Sequence, residues 1–439
     1  MGGMMNGAQR GSAHPTQEWH ILESRWFWIA VIGTSVVIRL YAAWLFAGRV
    51  PGGDAPIYTA IAQNILSGEG MFYFDPATGL NIRATYPPLY PFLLSAVGSV
   101  FPLGMPTYFT LNLLFDTAAA AGLAAIGRTS GHRSAGLLAA ALYLLWPIHL
   151  AITPMARKET LLELLVVVQA LSVLKIRERA GVKWMAMFGV SAGLLALAQP
   201  ALALLPVLFG IAILPRMGDA RRWAVAMAVG IACAGLVLLP WWIRNWLLFD
   251  RFVPLTNGGG VSLWTGSTPT GNGTWIEPPS RFYVGDEFAI DAAMRAEANA
   301  TIRAAPWDYL VHCLQKWVRG TLLDFRGTAH IYWARPRAHE QLMHMWGLIA
   351  TTFHVLALVT AALTSWFCRR ELVTHLFLAC IAQTLIFGMW FEYDDRHRYF
   401  LTPLLVFVAA LGIVVWFSRE RAARESRGAL LKLAERPGR

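Results

Sequence analysis

Apolar runs long enough to cross a bilayer recur along the chain, separated by short charged loops and interrupted by two long polar segments. The pattern predicts ten spans, at about 26–47, 108–127, 134–152, 159–175, 184–198, 200–214, 223–246, 343–366, 373–391 and 398–417. The pair 184–198 and 200–214 is short and forms a hairpin around Gln199-Pro200. A further run, 88–103, follows Tyr86-Pro87 and contains Pro88 and Pro91, which suits a re-entrant or juxtamembrane helix.

Loop charges orient these elements. Arg128 and Arg133, the group Lys175, Arg177, Arg179 and Lys183, the group Arg216, Arg221 and Arg222, and the pair Arg369 and Arg370 share one side only if 88–103 does not cross. The expected order is a cytoplasmic tail (1–25), a transmembrane catalytic module (26–248) with a first outer loop at 48–107, a mixed extracytoplasmic loop (249–342), further spans (343–417) and a basic cytoplasmic tail (418–439). The turn 153–158 and the reloop 392–397 join the outer face. Within the long loop, 286–303 reads as a polar amphipathic helix. Leu310, Leu314, Trp317 and Val318 after Pro306 read as an interfacial one. The fold class expected is an all-α polytopic protein of the cell (inner or plasma) membrane.

Composition agrees. The chain of 439 residues is 56% hydrophobic and 14% charged, against roughly a quarter charged in soluble domains. The net charge of +11 resides in inter-span loops and the tail, so it reports topology, and no nucleic-acid module is formed. Cys233, Cys313, Cys368 and Cys380 offer no disulfide framework. The polar stretch before Arg25 lacks a short apolar region ending in a cleavage site, so the first apolar run is expected to be a retained span.

The unusual polar chemistry lies on the outer face. Asp54 follows Gly52-Gly53, with Tyr58 one turn on; it either caps a short helix or serves as a general base. Arg157, Lys158 and Glu159 open the fourth span, with Glu163 a turn below. Arg39 is expected to snorkel from the first span, its pairing with Asp116 left open. Arg83, Arg244-Asn245 and Asp394-Asp395-Arg396-His397-Arg398-Tyr399 are singly ordinary flanking charges. Together they bring several cations to one face, as a phosphate at membrane depth requires. No nucleotide or hydrolase motif has the right context. There is no strong metal signal either, and a divalent cation is left open.

These residues resemble a family. Gly53-Asp54-Ala55-Pro56-Ile57-Tyr58, Gly68-Glu69-Gly70 and Tyr86-Pro87-Pro88-Leu89-Tyr90-Pro91 are similar to the first outer loop of GT-C glycosyltransferases, nearest to the protein O-mannosyltransferases and the lipid A aminoarabinose transferase. Pro240-Trp241-Trp242-Ile243-Arg244-Asn245, Arg251-Phe252-Val253-Pro254-Leu255-Thr256-Asn257 and Arg398-Tyr399-Phe400-Leu401-Thr402-Pro403 resemble later family segments. The resemblance implies a polyprenyl-phosphate-linked sugar as donor and inverting transfer on the outer face to a lipid, glycan or protein acceptor. It implies Asp54 as catalytic base and, more weakly, Glu159 as a second catalytic carboxylate. Arg83, Arg157, Lys158 and Arg398 would hold the donor phosphate, and Tyr58, Tyr86, Arg244 and Asn257 would line the pocket. A single acidic residue stands where the O-mannosyltransferases carry Asp-Glu, and their MIR domain is missing, so lipid and glycan acceptors stand beside protein. The alternative is a transporter or flippase of lipid-linked sugars. It should show repeats and helices broken at the midplane, and the sequence displays neither.

Overall fold

Helix length here follows from where prolines, glycines and charges fall. In a computed structural model describing residues 17–47, 53–178, 181–269, 271–324 and 340–434, the chain folds into α1 (Arg25–Phe46), α2 (Ala55–Leu66), a small hairpin β1 (Tyr73–Asp75) and β2 (Leu80–Ile82), α3 (Leu89–Gly98), α4 (Met105–Ser130), α5 (Arg133–Leu144), α6 (Pro147–Ile152), α7 (Glu159–Arg177), α8 (Val182–Ala198), α9 (Leu205–Met217), α10 (Ala220–Phe249), α11 (Gly259–Ser267), α12 (Glu287–Ala304), α13 (Pro306–Leu322), α14 (Glu340–Phe367), α15 (Leu372–Ile386) and α16 (Thr402–Ala434). The hairpin pairs antiparallel, Phe74 opposite Asn81. Among the described residues the rest of the regular structure is helical.

Seven helical segments among the described residues are long and apolar enough to cross a membrane, against the ten spans expected. Three expected spans differ. Segment 134–152 is two helices broken at Leu145-Trp146, where Pro147 cannot continue the hydrogen-bond ladder. The break is satisfied by neighbours: Ser35 Oγ donates to Leu144 O at 2.8 Å and Trp346 Nε1 to Pro147 O at 3.0 Å. Helix α8 has 17 residues, just short of a full crossing. Helix α7 has 19 residues but carries Glu159, Glu163, Lys175 and Arg177. Helix α3, with 10 residues, extends only about 15 Å, so 88–103 is not a crossing length.

Small residues set how closely the helices approach. Gly189 and Gly193 lie one turn apart on α8 facing α10; a Cβ on Gly189 would stand 2.1 Å from Gly230 O, and one on Gly193 2.8 Å from Val237 Cβ. Gly189→Ala should therefore destabilise the protein by about 1–3 kcal/mol, read as a lower melting temperature in detergent. The same change at Gly235, whose Cβ would meet nothing within 4 Å, should leave it unaltered.

Buried charges organise the turn after α6. Arg39 does not snorkel: it is fully buried and pairs with Asp116 at 2.7 Å, because its guanidinium also reaches Thr153 Oγ1. Asn112 Nδ2 donates to Thr153 O and Met155 O, both at 2.8 Å, while Thr160 Oγ1 donates to Asn112 Oδ1 at 2.7 Å. These bonds fix the turn 153–158 and present Arg157 and Lys158 at the end of α7 that faces Tyr58 of α2 and the segment Asp395–Leu401.

Candidate functional site

Asp54 occupies the N-cap position of α2, yet its side chain makes no capping bond. The capping reading fails there. Its Oδ2 instead accepts from Arg396 Nη1 at 3.0 Å. Arg396 also reaches Glu392 at 3.2 Å and Asp394 at 3.5 Å. From the start of α7, Lys158 Nζ lies 5.4 Å from the centre of the Tyr58 ring, and Arg157 lies 3.7 Å from Glu159. Tyr58 packs edge-on against Tyr90.

Arg157, Lys158, Glu159 and Tyr58 are all buried. Arg157 Nε and Nη2 and Glu159 Oε2 have no hydrogen-bond partner among the described residues. Buried donors of this kind require an explanation, and a ligand is one. Burial raises the Asp54 carboxyl, but the combined charges of Arg396, Lys158, Arg157 and His397 outweigh it and hold the group below its ordinary value. Burial lowers the Lys158 ammonium, a shift that Asp54 and Glu159 only partly offset.

A second feature shares no lining residue with this cluster. A cavity of about 940 Å³ runs beside α10, walled by Met71, Phe92, Leu236, Leu239 and Leu247, with Arg83, Arg244 and Glu69 among its polar lining. The Arg244 guanidinium donates to Arg83 O at 3.1 Å and Met71 O at 3.3 Å and stacks on Trp241 at 4.6 Å. Tyr86 packs with Met71 and Trp241 and edge-on against Tyr73. Burial, then the charge of Asp54, push its phenol up. It thus feels the Asp54 charge while packing against Met71 of the groove wall.

Of the residues expected from the sequence to share one site, Asp54, Tyr58, Arg157, Lys158 and Glu159 fall in one cluster, whereas Arg83 and Arg244 line the groove. Asn257 lies nearby as a tether, its N–H donating to Ala84 O at 2.8 Å and its amide to Glu287 O at 2.9 Å. Arg398 is elsewhere. It is fully buried, donating to Gly320 O and Leu323 O, both at 2.8 Å, beside Asp324 and His354. The residue facing Asp54 is Arg396, which sequence reasoning did not single out. The signal was conformational: Asp395–Leu401 is a 3-10 helix, in which residues three apart eclipse, so Asp395 and Arg398 share the buried face and Arg396 turns away.

Among the described residues one group has donor atoms close enough for a metal ion, namely the buried Asp116, His149 and Glu163. Arg39 already sits 2.7 Å from Asp116, Tyr143 bridges the two carboxylates and His149 pairs with Glu163 at 2.9 Å. The group is a buried ion-pair network beneath the turn, in which His149 Nδ1 has no hydrogen-bond partner among the described residues.

No family profile and no characterised protein sequence matches the chain. Solved structures do. The oligosaccharyltransferase of Archaeoglobus fulgidus, determined with zinc and sulfate, superposes with a TM-score of 0.52 at 14% identity over 90% of this chain and 51% of that one. The same enzyme tethered to an acceptor peptide containing an NVT sequon gives 0.52 at 13% identity over 94% and 52%. ArnT from Cupriavidus metallidurans bound to undecaprenyl phosphate gives 0.43 at 13% identity over 89% and 78%. The chain spans about half the length of the archaeal enzyme. It has the GT-C fold and is a multi-pass membrane protein.

Proposed function

We propose that the protein is a glycosyltransferase that moves a sugar from a polyprenyl-phosphate donor to a lipid, glycan or protein acceptor on the extracytoplasmic face, with inversion. The observation that carries this reading is the Asp54 carboxylate, released from helix capping and set against Arg396, Lys158 and Arg157; an apolar groove bearing Arg83 and Arg244 supports it. The isoprenoid tail lies in the groove along α10, and the phosphate is drawn to these cations. Asp54 takes the acceptor hydroxyl proton as the acceptor oxygen bonds to the anomeric carbon. The anomeric carbon–phosphate oxygen bond breaks, and polyprenyl phosphate departs with its charge stabilised by the fixed cations. Arg396 takes the phosphate-facing role that sequence reasoning gave Arg398, and Glu159 orients Arg157. That a protein of the same fold is an oligosaccharyltransferase supports sugar transfer.

The transporter reading draws on the break between α5 and α6, but Trp146 fills that break and is fully buried, so it does not line a pathway. The test uses full-length protein in vesicles with a radiolabelled polyprenyl-phosphate sugar. Loss of label from the donor with release of polyprenyl phosphate is expected. Intact donor merely moved to the opposite leaflet would sink the reading.

A further inference from the structure

We propose that Glu287 is a positioning residue for the donor: through main-chain amides it holds the strap 83–86, whose Arg83 lines the lipid groove. The inference rests on the glycosyltransferase reading and gives the long loop a part in that site. Glu287 opens α12, where its N-cap is Asp286. Its carboxylate is not spent on its own helix. Oε1 accepts from Arg83 N at 3.0 Å, Oε2 accepts from Ala84 N at 2.9 Å, and Thr85 Oγ1 lies 3.3 Å from Oε2. The same strap is held from the other side by Asn257, which donates its N–H to Ala84 O and its amide to Glu287 O.

One turn along α12, Asp291 does the same for a neighbouring segment. Its Oδ1 accepts from Gly260 N at 2.6 Å and Val261 N at 3.1 Å. The approach is so close that a Cβ on Gly260 would lie 2.0 Å from Asp291 O. Two carboxylates spaced four apart on one helix face thus clip the strap 83–86 and the first turn of α11 by charge-assisted bonds to amides. Of these two carboxylates, Glu287 is the one that grips the strap, which carries the exposed Arg83 and leads into Tyr86. Ala84 is fully buried beneath it, so the strap has one seating, and Arg83 and Tyr86 are set by it.

The experiment measures binding of undecaprenyl phosphate to purified full-length protein in nanodiscs, with hydrogen exchange across residues 80–86. Glu287→Gln keeps the size but loses the charge and turns an N–H₂ toward an N–H. It should speed exchange at Arg83 and Ala84 and weaken the dissociation constant about tenfold, the order expected for lost charge-assisted bonds. Glu287→Asp should restore part of both. Asp291→Asn, which loosens Gly260 and Val261 instead, should leave lipid binding within about twofold. Unchanged binding in Glu287→Gln, whether or not the strap loosens, overturns the proposal while leaving the function intact. Absence of binding by the unmodified protein overturns the donor reading itself and this inference with it.

Discussion

Asp54→Asn is expected to lower transfer by two to four orders of magnitude, the usual worth of a positioned general base. The substitution is nearly isosteric and removes no capping bond, since the Asp54 side chain makes none. The fold should therefore hold, with a modestly lower melting temperature because the ion pair with Arg396 is lost. It also removes one anion facing Arg396, Lys158 and Arg157. Undecaprenyl phosphate should accordingly bind as well as before, or more tightly, so the loss falls on kcat. The pH profile follows with its sign. The neighbouring cations hold the folded carboxyl below its ordinary value, so the active carboxylate persists as pH falls. The acid limb set by this group should lie below the ordinary Asp range near 4. Arg396→Gln, removing the first of those cations, should shift that limb upward. The measurement is release of polyprenyl phosphate from labelled donor; an Asp54→Asn enzyme retaining more than about a tenth of the rate ends the base assignment.

Much of the fold was legible because the bilayer constrains sequence strongly. Continuous apolar runs and loop arginines give helices and order without any knowledge of packing. What escaped was whatever depends on partners. Pro147 in a 19-residue apolar run reads as a kink at worst, and only Ser35 and Trp346, from two other helices, make a full break tolerable. Arg39 seemed near enough to the outer end to reach water. Asp116 and Thr153 keep it buried.

The site divides along the same line. Asp54, Arg157, Lys158 and Glu159 were legible as candidates, and as neighbours on one face, because charged residues beside apolar spans are costly unless they serve something. Choosing between Arg396 and Arg398 required the 3-10 geometry of Asp395–Leu401, and helical spacing alone cannot supply that. Glu287 was hidden for another reason. An acidic residue at a helix start is the commonest kind of dipole partner, and its bonds to a strap some 200 residues earlier in the chain leave no local trace.

Arg398→Met should cost about 3–5 kcal/mol of stability, the range for removing one partner of a buried ion pair. The side chain is fully inaccessible. Its removal leaves Gly320 O and Leu323 O without their donor and strands Asp324, itself fully buried and held otherwise by Tyr399 Oη at 3.1 Å and its own N–H to Thr351. Because the orphaned charge dominates the penalty, a second change, Asp324→Asn, should recover a good part of the loss, and the two effects should be strongly non-additive. Thermal unfolding in detergent of the two single variants and the double variant measures this directly. The same samples separate the two roles open to Arg398. A clamp between α13 and the segment before α16 lowers the melting temperature, while the fraction still folded binds undecaprenyl phosphate normally through Arg396, Lys158 and Arg157. A phosphate ligand would do the reverse, losing lipid binding at an unchanged melting temperature, and that outcome would return Arg398 to the donor site and remove Arg396 from it.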